Sequence, residues 1–183
     1  TDSRVLISGP PGSGKGAIAR MLHSRSLRKN GRFVVLTCAT LSEDTLEQAL
    51  FGTEATKSQP RRIGVLEEAH GGTLLLDEVA DMDMATQLKM VRVLHNRRFQ
   101  RIGGDTVVEV NSRVLATTTR DLQALIAEGK FREDLFYRLN VVPIHAPPLS
   151  DRREDIPLLA VHLMERSAAA KSRSPRILGA DAL

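Results

Sequence analysis

Seven residues, Gly9-Pro10-Pro11-Gly12-Ser13-Gly14-Lys15, separate an apolar run, Val5-Leu6-Ile7, from a helical pattern that carries Ala17, Ile18, Ala19, Met21 and Leu22. Three glycines and two prolines can continue neither a strand nor a helix, so the chain must turn sharply here. A glycine-rich loop in this position turns backbone N–H groups toward an anion, and the helix that follows adds positive potential at its N-terminus. Lys15 then reaches the terminal phosphates, while Gly16 and Ala17 begin the helix beside them. The usual Ser or Thr after the lysine is absent. Gly16 stands there and offers no hydroxyl to magnesium.

A second run, Gly72-Thr73-Leu74-Leu75-Leu76-Asp77-Glu78, has the aliphatic continuity of a buried strand and ends in two adjacent carboxylates. This suits a magnesium-holding Asp77 and a water-polarising Glu78. The two runs together predict binding of a nucleoside triphosphate, with Mg2+ as its companion ion. The loop residues Gly9, Pro10, Pro11, Gly12, Ser13, Gly14, Lys15, Gly16 and Ala17 would form the nucleotide cradle.

Apolar runs alternate with helical periods along the chain, which predicts an α/β fold with a parallel sheet covered by helices. Candidate strands are Val5–Ile7, Phe33–Leu36, Thr73–Leu76, Val114–Thr117 and Val141–Ile144. Helices are expected from Lys15 to about Ser24, from a capping Ser42 to Leu50, and from Met84 to Leu94. The last places Met84, Leu88, Val91 and Leu94 on one face, widened by Met90 and Val93. Gly103-Gly104-Asp105 between two β-prone segments signals a hairpin. The character changes after Pro147-Pro148, and Pro157 fits the first turn of a new helix reaching about Ala170. Residues 1–147 are therefore expected to form the α/β subdomain, and 148–183 the beginning of a helical one. A polar loop is expected at Lys171–Pro175 and a further helix from about Gly179. Both ends read as cuts, as in a piece of a longer protein.

Composition narrows the classes. Hydrophobic residues at 42% supply a core, but aromatics at 3% leave it to aliphatic packing. The charge of +4 permits contact with nucleic acid. Its local concentrations, Arg25-Arg28-Lys29-Arg32 and Arg97-Arg98-Arg101, read as solvated faces, and one tyrosine without tryptophan gives no stacking platform. The single Cys38 excludes an internal disulfide and fits a reducing, cytoplasmic compartment. The five histidines have no metal-ligand spacing, no nucleophilic triad is readable, and no apolar run approaches membrane-spanning length.

Taken together the motifs resemble the AAA+ ATPase domain of bacterial enhancer-binding proteins, the activators of sigma-54 RNA polymerase. The resemblance rests on the two runs above, on Phe51-Gly52, Leu88 through Leu94, Phe99-Gln100-Arg101-Ile102-Gly103-Gly104, Gly129-Lys130-Phe131-Arg132-Glu133-Asp134-Leu135-Phe136-Tyr137-Arg138-Leu139-Asn140 and Arg152-Arg153-Glu154-Asp155-Ile156-Pro157. It implies a P-loop NTPase fold of three layers with a helical lid, and a response regulator of a two-component system. A receiver domain addressed by a sensor kinase would precede this chain, and a DNA-binding domain would follow it. Arg132 and Arg138 match the family's arginine fingers, which reach the γ-phosphate of a neighbouring subunit and so imply a homo-oligomer, from a dimer to a ring. Without the resemblance both arginines would read as solvated side chains, each with its own ion pair to Glu133 or Asp134.

Three departures matter. The family's G-A-F-T-G-A loop, whose apolar tip engages sigma-54, is missing. Its place holds the shorter run Ala55-Thr56-Lys57-Ser58-Gln59-Pro60-Arg61-Arg62-Ile63, a pattern similar to the NtrX-type nitrogen-regulation response regulators. Thr37 stands where the family has an Asn that positions the second carboxylate, and Thr119 stands at the sensor Asn. Threonine is shorter and carries one donor rather than two, so a water-orienting bond near 3 Å is harder to make. Two readings follow: a weak ATPase that controls transcription activity, or a non-hydrolysing switch in which ATP sets the oligomeric state.

Overall fold

Aliphatic strands and amphipathic helices alternate as their periods require. The computed structural model describes residues 2–57 and 60–170, so the loop expected at 171–175 and the helix expected from 179 lie outside it. In chain order the elements are β1 (Val5–Ser8), α1 (Lys15–Ser24), β2 (Phe33–Thr37), α2 (Glu43–Phe51), β3 (Gly52–Thr53), β4 (Arg62–Ile63), α3 (Val65–Glu68) and β5 (Thr73–Asp77). There follow α4 (Met84–Asn96), β6 (Arg98–Gln100), β7 (Val107–Glu109), β8 (Arg113–Thr118), α5 (Leu122–Ala127), α6 (Glu133–Leu139), β9 (Val142–His145) and α7 (Ile156–Ala170).

Five strands form one sheet in the order β2-β5-β8-β1-β9, and every pairing is parallel. Side chains alternate across the sheet, which divides the core in two. Val5, Ile7, Leu75 and Leu115 face Ala19 of α1 on one side. Leu6, Leu74, Leu76, Val114 and Ala116 join the larger cluster with α2 to α6 on the other. The central β8 is buried along its whole length, including Thr117 and Thr118. Parallel register brings the C-terminal ends of β1, β5 and β8 to one edge, where α/β sheets hold their ligands. The glycine loop leaves from β1, Asp77 ends β5, and Thr117 lies near the end of β8.

Helix details depart from the sequence pattern in two places. Ser42 precedes α2, but its hydroxyl shares a 2.8 Å hydrogen bond with Thr45 Oγ1 rather than capping a backbone N–H. In α4 the buried positions are Thr86, Gln87, Met90 and Val93, whereas Met84 is exposed. The expected apolar stripe is thus rotated, because Gln87 is fully hydrogen-bonded and sits in the interior like an apolar residue. Asp83 caps α4 by accepting from Thr86 N at 2.8 Å. No described helix is long and apolar enough to cross a membrane.

In the two basic concentrations Arg25, Lys29, Arg32, Arg97 and Arg98 are exposed as expected, but one arginine of each is engaged in the fold. Arg28 donates from Nε and Nη2 to the Asp2 carboxylate and from Nη1 to the Asn111 carbonyl. Arg101 is buried and holds two carboxylates, with Nη1 2.6 Å from Glu54 Oε1 and Nη2 2.8 Å from Glu67 Oε2. Glu54 follows β3, Glu67 lies in α3 just beyond β4, and Arg101 follows β6, whose partner β7 completes the expected hairpin. One guanidinium thus fastens the shortened surface segment to the hairpin. Gly104 belongs to the same joint, since a Cβ there would lie 2.3 Å from Glu54 Cγ. Removing Arg101 leaves Glu54 without its cation and Glu67 with Arg61 alone, so Arg101→Leu is expected to lower unfolding free energy by about 3 kcal/mol in denaturant titration. Arg101→Lys, which cannot fork between two partners, should recover only part of that loss.

Candidate nucleotide-binding site

The loop owes its shape to its glycines. Gly9 has φ 151°, and a Cβ there would lie 2.2 Å from the Ala146 carbonyl oxygen, so the chain can pass only without a side chain. Gly14 is left-handed at φ 88° and forms the N-cap of α1 with no side-chain cap. The first N–H groups of α1 therefore face the loop unclaimed by a capping side chain, the condition for anion binding at a helix N-terminus. Lys15 is buried and folds back over the loop, where Nζ donates to the Gly9 carbonyl at 3.0 Å and the Pro10 carbonyl at 3.2 Å. Its third neighbour is Glu78 Oε1 at 3.5 Å.

The carboxylates are held by the strand beside them. Thr117 Oγ1 donates to Asp77 Oδ1 at 2.6 Å and accepts from the Glu78 N–H at 3.0 Å. Glu78 has φ 58°, a left-handed conformation that a non-glycine residue adopts at a cost. Its second oxygen, Oε2, accepts from the Thr119 N–H at 2.8 Å and from Thr119 Oγ1 at 2.9 Å. A threonine at position 119 thus reaches Glu78 despite its length, because its backbone N–H supplies the second bond. Thr37 ends β2 but forms no hydrogen bond with Glu78 among the described residues.

A cleft of about 560 Å³ opens between loop and carboxylates, with Gly12, Gly14, Lys15 and Gly16 on one wall and Asp77, Glu78, Asp81 and Thr119 on the other. Its walls are cationic and N–H-rich on one side and anionic on the other, which fits a phosphate chain bridged to a divalent ion. The fit to magnesium rests on Asp77. No three His, Cys, Asp or Glu side chains converge as ligands among the described residues, so phosphate oxygens and water would complete the ion's shell. Beneath this edge lies Cys38, whose thiol is pushed up to about 12 by burial and by the negative charges of Asp77, Asp81 and Glu78. It remains a neutral core thiol.

Arg132 and Arg138 lie apart from this cleft. Arg132 is the N-cap of α6 and not part of the helix, whereas Arg138 is in its last turn. Arg132 forks onto Asp134, with Nε 3.0 Å from Oδ1 and Nη2 2.8 Å from Oδ2, and that bond holds the Asp134 carboxyl below its ordinary range. The local ion pair expected of a surface arginine is present, and no described residue of its own chain's cleft engages it.

Two further residues join the site without a signal of their own in the sequence pattern. Arg152, at the approach to α7, donates from Nη2 to the Ser13 carbonyl at 2.6 Å and so ties the helical segment to the loop. Thr117 could be singled out only by knowing that β8 lies against β5. Its hydroxyl is the shared partner of both acidic residues, and Thr117→Val removes it while keeping shape. That variant is expected to lower stability by about 1–3 kcal/mol in denaturant unfolding, and Thr117→Ser, which keeps the hydroxyl, to lose less.

Comparison with known proteins places the chain in one family. Residues 1–145 match the family described as "Sigma-54 interaction domain". The nitrogen assimilation regulatory protein NtrX of Azorhizobium caulinodans is 48% identical over 183 residues, covering 100% of this chain and 40% of that protein. Crystal structures of NtrX from Brucella abortus in complex with ADP and with ATP each superpose with a TM-score of 0.89 at 48% identity. The ADP complex covers 99% of this chain and 40% of that chain, and the ATP complex 98% and 39%. The chain thus spans about two fifths of the length of the relatives it matches. On the family match, the parallel sheet order and the loop geometry, the chain belongs to the Sigma-54 interaction domain family and has the AAA+ P-loop fold.

Proposed function

We propose that this chain is the ATP-binding module of a two-component transcriptional regulator, which uses bound ATP with Mg2+ to associate with copies of itself and hydrolyses it slowly. The observation that carries the reading is the Lys15–Glu78 contact of 3.5 Å across the mouth of the loop. It puts a phosphate-seeking cation and a water-orienting carboxylate in one cleft, on the two elements that such chemistry requires. The ADP and ATP complexes of NtrX, at 48% identity, support the choice of nucleotide.

The backbone N–H groups of Gly12 to Ala17 and the Lys15 ammonium would bind the phosphates. Magnesium held by Asp77 would neutralise charge on the phosphate oxygens. When Lys15 turns to the phosphates, Glu78 Oε1 is released from its ion pair while Thr119 still holds Oε2. That free oxygen can then accept a hydrogen bond from the attacking water and take its proton, as the water oxygen bonds to the γ-phosphorus and the bridging β–γ oxygen departs with ADP. Arg132 and Arg138 would enter a neighbouring copy's cleft and stabilise charge there. The domain boundary near residue 147, the receiver and DNA-binding domains, and contact with a sensor kinase are part of the same proposal. The short run at 55–63 lacks the G-A-F-T-G-A tip, so remodelling of sigma-54 polymerase is not among the proposed activities.

A second reading, a switch that binds ATP without cleaving it, draws on Thr37, which makes no bond to Glu78. Steady-state ATP turnover measured against protein concentration separates the two. An ATPase with arginines supplied in trans gives turnover that rises more steeply than concentration and is lost in Glu78→Gln with ATP still bound. A switch gives tight ATP binding, no turnover at any concentration, and little change in Glu78→Gln.

A further inference from the structure

Gln87 has no exposed surface, yet it lies in the first turn of α4, a helix that packs against α6. A buried primary amide is stable only if its donors and acceptor are met. Here Nε2 donates to the Met82 carbonyl at 2.7 Å and to the Lys130 carbonyl at 3.2 Å, and Oε1 accepts the Arg132 N–H at 2.8 Å. Two carbonyls and one N–H leave a single orientation for the amide. Its two ends grip the backbone on both sides of Phe131, whose side chain is itself buried.

The rest of that segment is pinned by less specific means. The Leu125 carbonyl accepts from Lys130 N at 2.8 Å and from Phe131 N at 3.2 Å, behind the left-handed Gly129. Those bonds end at residue 131. Arg132, the N-cap of α6, gives its carbonyl to the Phe136 N–H at 3.1 Å, but its own N–H, which no helical bond uses, is fixed by Gln87. The other anchor, Met82, closes the helical turn that starts at Glu78, since Asp81 N donates to the Glu78 carbonyl and Met82 N to the Val79 carbonyl, each at 3.2 Å.

We propose that Gln87 is a positioning residue for Arg132: its buried amide sets the place from which that arginine is presented to a neighbouring subunit's nucleotide, on an anchor shared with the turn that carries Glu78. The proposal rests on the reading above in which Arg132 acts in trans. An apolar side chain of similar length would leave the Arg132 N–H and two carbonyls unmet and let the N-cap drift. A displacement of about 1 Å at a group of this kind costs on the order of 100-fold in rate.

The test uses the full-length protein and four variants: Gln87→Met, Gln87→Glu, Arg132→Ala and Glu78→Gln. Gln87→Met is expected to bind ATP as wild type does, since its own cleft is intact, and to lose turnover by about 100-fold, as Arg132→Ala does. Mixing it with Glu78→Gln subunits, which cannot use their own ATP but present a well-placed Arg132, should restore turnover well above the sum of the two alone. A purely structural role would not produce that rescue. Gln87→Glu keeps the side-chain length but sets a carboxylate against two carbonyls. It should behave like Gln87→Met, and it serves if the methionine variant fails to fold. Wild-type turnover in the Gln87 variants beside an inactive Arg132→Ala overturns the proposal alone, as does a loss that Glu78→Gln subunits do not rescue. Wild-type turnover in Arg132→Ala, or no turnover in the wild type, overturns the trans-arginine reading and the proposal together.

Discussion

The parallel placement of β8 between β5 and β1 sets where the two carboxylates can point. It brings the Thr117 hydroxyl within 2.6 Å of Asp77 and within 3.0 Å of the Glu78 N–H, and it brings Thr119 to the far oxygen of Glu78. Glu78 sits in a left-handed conformation that such bonds must hold against its intrinsic cost, of order 1–3 kcal/mol. On the other flank of β8, β1 delivers the glycine loop and Lys15. The cleft is therefore a product of strand order. Residues 15, 77, 78, 117 and 119 meet because three parallel strands end together.

Much of this was legible in the sequence, and the reasons for success and failure are physical. The inner strands β1, β5 and β8 appeared as aliphatic runs because they are buried on both faces, and the limits of all five sheet strands, including the more exposed edges β2 and β9, agree with expectation to within one residue. The glycine loop was legible because its chemistry is local: turn, backbone N–H groups and lysine all lie within a few residues. What the sequence hid is what depends on distant partners. Arg101 looked solvated by its neighbours in the chain, yet its carboxylates are Glu54 and Glu67, brought in from other elements. The polar Thr86 and Gln87 displaced Met84 from the buried face of α4, since a satisfied amide can be buried as readily as a methionine. Hydrophobic periodicity has no means of registering either.

The same geometry bears on what the shortened surface segment does. In its place the chain keeps β3 and β4, joined to the β6–β7 hairpin through Arg101, through the Glu54 N–H on the Ile102 carbonyl and through the Ile102 N–H on the Gly52 carbonyl. These bonds hold the β3 end of the segment against the hairpin. The cleft keeps Lys15 on one wall and Asp77 and Glu78 on the other.

The central claim is that the glycine loop and Lys15 hold the phosphates of ATP. Calorimetric titration of ATP and Mg2+ into the wild-type protein and into Lys15→Ala tests it most directly. The account predicts saturable binding by the wild type and a loss of affinity of about 30-fold in the variant, the equivalent of roughly 2 kcal/mol for one charge-assisted hydrogen bond. Equal affinity in the two proteins would contradict it.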